Sequence, residues 1–348
     1  DRFYFLEKAQ ELAMSFGYTT VQEGRAFGDT HNNLVSYAEK KGFKVDIVSY
    51  LDYSMKDENV QGFSCGGNHI HKNEKHDEVI DYSKLESPWT GGTYSGGYRV
   101  AGMKITLDGS PQGRTAWSKT PYVLPPSGQK QGYRGYPAFP KDSDLEALYT
   151  LAFKNNWQVL IHANGDAAID QLTRVMKPVA KKYGNKDRRS VLIHGVFLQK
   201  EQYADLKELN IIPSMFTMHT FYWGDWYKKI IGPKRAQQIA PARSLLDKGF
   251  NLTIHTDAPV ALPNLMQIVW ASVNRVSRSG DVMGADERLT PYQALKAITL
   301  SSAYQHFEEE KKGSLKVGKL ADLVTVSYTH LRAHETPEHL VCRLLLEK

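Results

Sequence analysis

Three side chains in this sequence have the types and the spacing for metal-assisted hydrolysis: His162, His194 and Asp257. His162 closes the apolar run WQVLIHA, His194 closes SVLIH, and Asp257 follows FNLTIHT. Two neutral imidazoles and a carboxylate can hold a divalent cation, and a hydrolytic centre keeps a further coordination position for water. Asp257 would both bind the cation and accept a proton from the attacking water. Taken singly, a histidine at a strand end is usually a rim residue, and an aspartate before Ala-Pro is usually a helix cap. The set is carried by its spacing. His162 to His194 is 32 residues, about one βα unit, and His194 to Asp257 is 63, about two.

The elements that must position these residues are legible as apolar runs. Seven read as strands: 17–24, 43–51, 98–109, 157–164, 190–195, 210–217 and 250–258. Between most of them lie helical patterns such as DSDLEALYTLAFKNN, AAIDQLTRVMKPVAKKYG, KEQYADLKEL and APARSLLDKG, with acids or Ser near their starts and Gly or Asn near their ends. Strands alternating with helices predict a parallel sheet. If that sheet closes into a barrel, the C-terminal strand ends open onto one mouth, and the three residues are expected to point into it. An open, doubly wound sheet is the rival, but no Gly-x-Gly-x-x-Gly follows the first strand. The stretches 52–97 and 110–142, rich in Gly and Tyr, exceed ordinary βα loops and are expected to shape access at the mouth. The only His-x-His, His69 and His71 in NHIHKN, has no apolar strand to fix both rings and reads as solvated loop.

Composition narrows the chemistry. The 348 residues are 41% hydrophobic and 24% charged, without the ~18 consecutive apolar residues that a membrane helix needs. The net charge is +6, but the lysines are interleaved with acids, which argues against a nucleic-acid partner. Cys65 and Cys342 are too few for a disulfide framework or a Cys-rich zinc site, so nitrogen and oxygen must hold any metal. The opening DRFYFLEKAQELAMSFGYTT reads as a helix running into a strand, with no start methionine, as if the chain begins in mid-domain. Any export signal would precede it. The compartment is unread, with the cytoplasm favoured, and a homo-oligomer stays open.

The motifs GMKITLDGSPQGRTA (102–116), LIHANGDAAID (160–170), VLIHG (191–195), HTFYWGDW (219–226), HTDAPV (255–260) and GSLKVGKLADLV (313–324) resemble the amidohydrolase superfamily. The similarity is to its family 3 branch, the metal-dependent hydrolases related to N-substituted formamide deformylase. That resemblance implies a TIM (β/α)8 barrel, here lacking its first strand, over 1–310, and a remnant of a small β-sandwich domain over 311–327; residues 328–348 follow without a stop and without continuing the alternation, and read as a non-native tail. It implies hydrolysis of a C–N bond in an amide-like, non-peptide substrate by water activated on one or two divalent ions, with zinc favoured. His162 and His194 would bind one metal, and Asp257 the other. Lys104 matches the position of a carboxylated lysine that bridges two metals; the alternative is a lysine paired with Asp108. The family's first-strand His-x-His has no counterpart, so a chain of this extent is expected to bind metal poorly. His219, Tyr222, Trp223 and Asp225 match a substrate-facing cluster, and Arg114 and Gln112 either touch substrate or brace their loop. Asp166 is expected to brace a loop or cap a helix, and Asn274 and Arg275 to serve packing. The alternative function, a catalytically silent barrel with only a binding role, is disfavoured because Lys104, His162, His194 and Asp257 are all present.

Overall fold

Runs rich in Val, Ile, Leu and Tyr, bounded by Gly, Asn and Asp, supply the strands of a parallel sheet. The computed structural model describes residues 2–52 and 93–324. Its strands are β1 (Thr20–Ala26), β2 (Asp46–Asp52), β3 (Tyr98–Thr106), β4 (Gln158–Ala163), β5 (Val191–His194), β6 (Ile212–Met215) and β7 (Thr253–Ile254), hydrogen-bonded in chain order. Each falls within one of the seven predicted runs or overlaps it by most of its length. His69, His71, Cys65 and residues 325–348 lie outside the described residues.

The described chain divides into two compact units between Pro213 and Ser214, inside β6. In the first unit β1 to β5 pair in parallel, with Thr20 beside Asp46, Asp52 beside Lys104, Thr106 beside His162, and Ala163 beside His194. The Ile212 N–H donates to the Ser190 carbonyl (2.8 Å), which sets the start of β6 beside β5. Every residue of β4 and β5 is buried, as expected of parallel strands covered on both faces. Helix α1 (Arg2–Ser15) precedes β1, and α2 (Gly28–Lys40) links β1 to β2. Leu34 and Ala38 of α2 pack with Val45, Ile47 and Tyr98. Helices α3 (Asp142–Lys154) and α4 (Asp166–Tyr183) flank β4 in sequence. In α4 the buried Ile169, Leu172, Val175, Met176 and Val179 recur at three- and four-residue steps, which gives the helix one apolar stripe. A short helix α5 (Tyr203–Glu208) then leads to β6.

In the second unit Ser214 and Met215 of β6 pair in parallel with Thr253 and Ile254 of β7. Around this pair run α6 (Met218–Ile230), α7 (Pro233–Ala236), α8 (Ala242–Asp247), α9 (Leu265–Asn274), α10 (Pro291–Ile298) and α11 (Leu300–Gln305). A capping box at Thr290 and Gln293 starts α10, with Pro291 in its first turn. Residues 311–324 form turns without a strand, with Leu315, Val317 and Leu323 exposed.

Arg275, just past α9, is wholly buried and knits this unit together. Its guanidinium donates to the carbonyls of Met283 (2.7 Å), Ala240 (3.0 Å) and Ile239 (2.6 Å). Burial pushes its pKa down to about 10, so it stays charged at neutral pH. The packing role expected from the sequence is therefore a polar one. Arg275→Met, which keeps much of the volume, leaves three buried carbonyls without their donor; chemical denaturation should show a loss of about 3 kcal/mol or more. A loss below about 1 kcal/mol would mean that water replaces the guanidinium.

Candidate functional site

In the first unit the structure brings His162 and His194 together. Side chains two apart on a strand share a face, so the register that sets Thr106 beside His162 puts Lys104, Thr106 and His162 on one face of the sheet. Lys104, His162 and His194 are all buried. Asp52, in register with Lys104, is ion-paired with Arg25. His194 pairs with Ala163 rather than with His162, so strict alternation would send the two rings to opposite faces. The chain breaks that alternation at His194, whose φ of 75° lies in the left-handed region that side chains other than Gly seldom adopt. The rings consequently meet edge to face, with centroids 4.7 Å apart at 82°. Such local strain recurs at ligand-holding positions.

The break after WQVLIHA is built by Asp108. This carboxylate is fully buried and accepts the backbone N–H groups of Trp117 (2.9 Å), Asn164 (2.9 Å) and Gly165 (2.8 Å). Burial pushes its pKa up to about 7, against the pull of those three donors. Asp108 thus joins the end of β3, the loop beyond it and the turn from β4 into α4. Its Oδ1 is 3.6 Å from His162 Nε2, and the same nitrogen is 3.2 Å from the Gly109 carbonyl. Asp166 accepts from the Lys119 N–H (2.8 Å) and the Ala167 N–H (3.1 Å), the loop-bracing role expected of it. Arg114, at φ 61°, donates to the carbonyls of Pro125 (3.0 Å) and Leu124 (3.4 Å) across its own loop. Those bonds are of the bracing kind.

In the second unit β7 leads directly into His255 and Asp257, both half-buried. A ring nitrogen of His255 and a carboxylate oxygen of Asp257 lie within 4.8 Å of each other. Asp257, like His194, has a left-handed φ, 54°. His255 Nδ1 is 2.9 Å from the Ser214 hydroxyl, and its ring stacks on Phe216 with centroids 5.5 Å apart. His219 is buried between Phe216 and Trp223, with Nδ1 2.5 Å from the Tyr227 hydroxyl. Tyr222 and Trp223 are half-buried on the same helix, α6.

Asp225 faces another way. It accepts from the Ser279 hydroxyl (2.5 Å) and N–H (3.1 Å), the Ser277 hydroxyl (2.9 Å) and Lys228 (3.1 Å). The Ser279 hydroxyl, then Ser277 and Lys228, hold its carboxyl well below the usual carboxylate range. A depressed folded-state pKa contributes stability above the unfolded value of about 3.9 and loses it as pH falls below that. The melting-temperature gap between wild type and Asp225→Asn should accordingly be full at pH 7 and narrow progressively as pH falls below about 4. A gap independent of pH would assign the effect to packing.

Sequence reasoning passed over three residues. Asp108 was considered only as a partner for Lys104, and its link to Gly165 spans 57 positions. Gly165 matters through the close approach of the Trp117 carbonyl, a contact that no local pattern signals. His255 stands two residues before Asp257, and a shared strand face at that spacing was the available signal.

Residues 4–344 match the amidohydrolase family. The chain belongs to that family. It is similar to the protein LONG AFTER FAR-RED 3 of Arabidopsis thaliana, 30% identical over 92% of this chain and 52% of the relative. It is also similar to the putative amidohydrolase YtcJ of Bacillus subtilis, at 27% over 82% of this chain and 53% of the relative. N-substituted formamide deformylase of Arthrobacter pascens is 26% identical over 54% of this chain and 35% of that enzyme. The chain spans about half the length or less of these curated relatives. An uncharacterized metal-dependent hydrolase from Pyrococcus furiosus shares the fold, with a TM-score of 0.70 at 21% identity over 92% of this amidohydrolase and 58% of that chain. A variant of the atrazine chlorohydrolase TrzN from Arthrobacter aurescens, solved with zinc and atraton, aligns at a TM-score of 0.54 and 16% identity over 90% of this chain and 62% of its own. The α/β architecture is therefore that of the TIM-barrel hydrolases of this family. Among the described residues no helix is long and apolar enough to cross a membrane.

Proposed function

We propose that this amidohydrolase cleaves the C–N bond of a small, non-peptide, amide-like substrate, using His162, His194, Asp257 and a carboxylated Lys104 to hold one or two divalent ions, zinc by preference. The observation that carries the reading is the contact between the buried rings of His162 and His194 at adjacent strand ends, in a chain of this family. The residues fit the metal. Imidazole nitrogens and a carboxylate are donors that zinc accepts, and a ligating histidine ordinarily rests its other nitrogen on a carbonyl or carboxylate, as His162 Nε2 does on Gly109 and near Asp108. Lys104 would become a ligand if its neutral amine added carbon dioxide and released a proton, leaving a carbamate whose oxygens could bind cations, a change that neighbouring cations favour.

A divalent cation, when bound, supplies a Lewis acid and makes water acidic enough to ionise near neutral pH. Asp257 would take a proton from the attacking water and give it to the leaving nitrogen as the C–N bond breaks. His219, Tyr222 and Trp223 offer an aromatic wall for the acyl or amine substituent, and Arg114 keeps the loop after β3 in place or reaches the substrate itself. The relatives named as amidohydrolase and formamide deformylase support this substrate class.

The test is metal analysis of the purified protein, together with hydrolysis of a panel of N-substituted formamides and simple amides before and after dialysis against a chelator. Zinc content that falls in His162→Ala and His194→Ala, with hydrolysis lost on chelation and restored by zinc, is the expected result. Retention of zinc in both variants would overturn the ligand assignment. Chelator-insensitive hydrolysis would overturn the mechanism.

A further inference from the structure

The residues that follow Asp257 read Ala258, Pro259, Val260, Ala261, Leu262 and Pro263, a run without a single polar side chain. A connecting segment at a protein surface is ordinarily polar, and a continuous run of exposed apolar side chains marks a place where something apolar is bound. Val260 is 45% exposed and Leu262 62%, while Ala261 between them is buried. The segment is thus fastened at its middle, and its two large side chains stand clear of it.

Its shape is fixed at both ends. The Val260 N–H donates to the Asp257 carbonyl (2.7 Å), which closes a tight turn and holds the two Cα atoms within about 7 Å of each other. The Asn264 N–H donates to the Leu262 carbonyl (2.7 Å), and Asn264 caps α9 by accepting from the Gln267 N–H (3.0 Å). The rings of Pro259 and Pro263 restrict φ on either side of the exposed pair. A ledge so constrained gives up little conformational freedom when a ligand covers it.

Asp257, at the near end of the ledge, decides what covers it. This step rests on the reading under Proposed function, in which Asp257 gives a proton to the leaving nitrogen. For that transfer the nitrogen must come within hydrogen-bond reach of an Asp257 oxygen, about 3 Å. A substituent on the nitrogen is then bonded to the very atom that meets the carboxylate, whereas a substituent on the acyl carbon lies beyond the scissile bond. We infer that Val260 and Leu262 seat the apolar substituent of the leaving nitrogen, so that the protein selects amides bearing an alkyl or aryl group on nitrogen over primary and N-methyl amides. The seat has no charged or hydrogen-bonding side chain to hold a polar substituent.

The experiment uses two isomers, N-butylformamide and N-methylbutanamide, each of which adds three methylenes to N-methylformamide, on opposite sides of the C–N bond. With the zinc-supplemented full chain, Leu262→Ser should lower kcat/KM for N-butylformamide about tenfold further than for N-methylformamide, since a fully buried methylene contributes about fourfold and the ledge covers one side of the chain. N-Methylbutanamide should fall no further than N-methylformamide. Leu262→Met, which keeps the apolar surface, should retain most of the preference. Equal falls for all three amides would overturn the inference, as would the largest fall for N-methylbutanamide. If wild type hydrolyses none of them, the reading under Proposed function fails, and binding judges the ledge. With Val and Leu methyl groups labelled with 13C, and the two signals assigned by their loss in Val260→Thr and Leu262→Met, N-butylformamide should shift both at lower concentration than N-methylbutanamide does. Signals that stay in place, or that move equally with the two isomers, would overturn the inference in that case as well.

Discussion

Asp257→Asn is expected to lower turnover by on the order of 10²–10⁴, the range over which a positioned general base contributes, while the Michaelis constant changes little. The amide is nearly isosteric with the carboxylate and can remain near a cation, but it cannot accept a proton from water at neutral pH. Its backbone makes the position hard to replace. The left-handed φ of 54° sets the direction in which the Asp257 carboxylate leaves the chain beyond β7, and a glutamate introduced there would carry its oxygens about one methylene farther. The check is steady-state kinetics on the best substrate of the formamide and amide panel, with zinc content measured in parallel. If Asp257→Asn keeps its turnover and raises only the Michaelis constant, Asp257 is a binding residue. If zinc is lost together with turnover, its role is mainly that of a ligand.

The second large effect is expected at Gly165. A Cβ there would sit 1.8 Å from the Trp117 carbonyl oxygen and 2.4 Å from its carbon, and these are backbone atoms that no rotamer can move aside. The turn could accept alanine only by separating the loop after β3 from the start of α4, which would also pull the Trp117 and Gly165 N–H groups off Asp108. Overpacking alone costs about 1–3 kcal/mol, and loss of hydrogen bonds to a buried carboxylate adds to it. Gly165→Ala should therefore lose at least about 3 kcal/mol in urea unfolding, or fail to accumulate as folded protein. Stability within about 1 kcal/mol of wild type would mean that the turn is looser than this packing implies.

The positions of the strands and of the candidate ligands were legible in the sequence because both follow from short-range rules. An apolar run of strand length with β-branched residues has few other ways to be buried, and a βα unit has a characteristic length. Those two facts are enough to set His162 and His194 at the ends of neighbouring strands and Asp257 about two units further on. The residues that support them obey no such period. Asp108 meets Asn164 and Gly165 across more than fifty positions, and His255 meets Ser214 across 41. No local pattern announces a hydrogen bond between groups so far apart in the chain.

The rotation of His194 belongs to the same class. Alternation along β5 would turn its ring away from His162, and only a left-handed φ at the end of the strand brings the two together. By itself the sequence determined which side chains could do hydrolytic chemistry and which strands carry them, since residue type and period are local properties. The tertiary structure alone decided which carbonyl His162 Nε2 meets, which carboxylate braces the turn behind it and which glycine makes that turn possible. Those depend on approaches of 2–4 Å between distant segments, and such approaches exist only once the chain has packed.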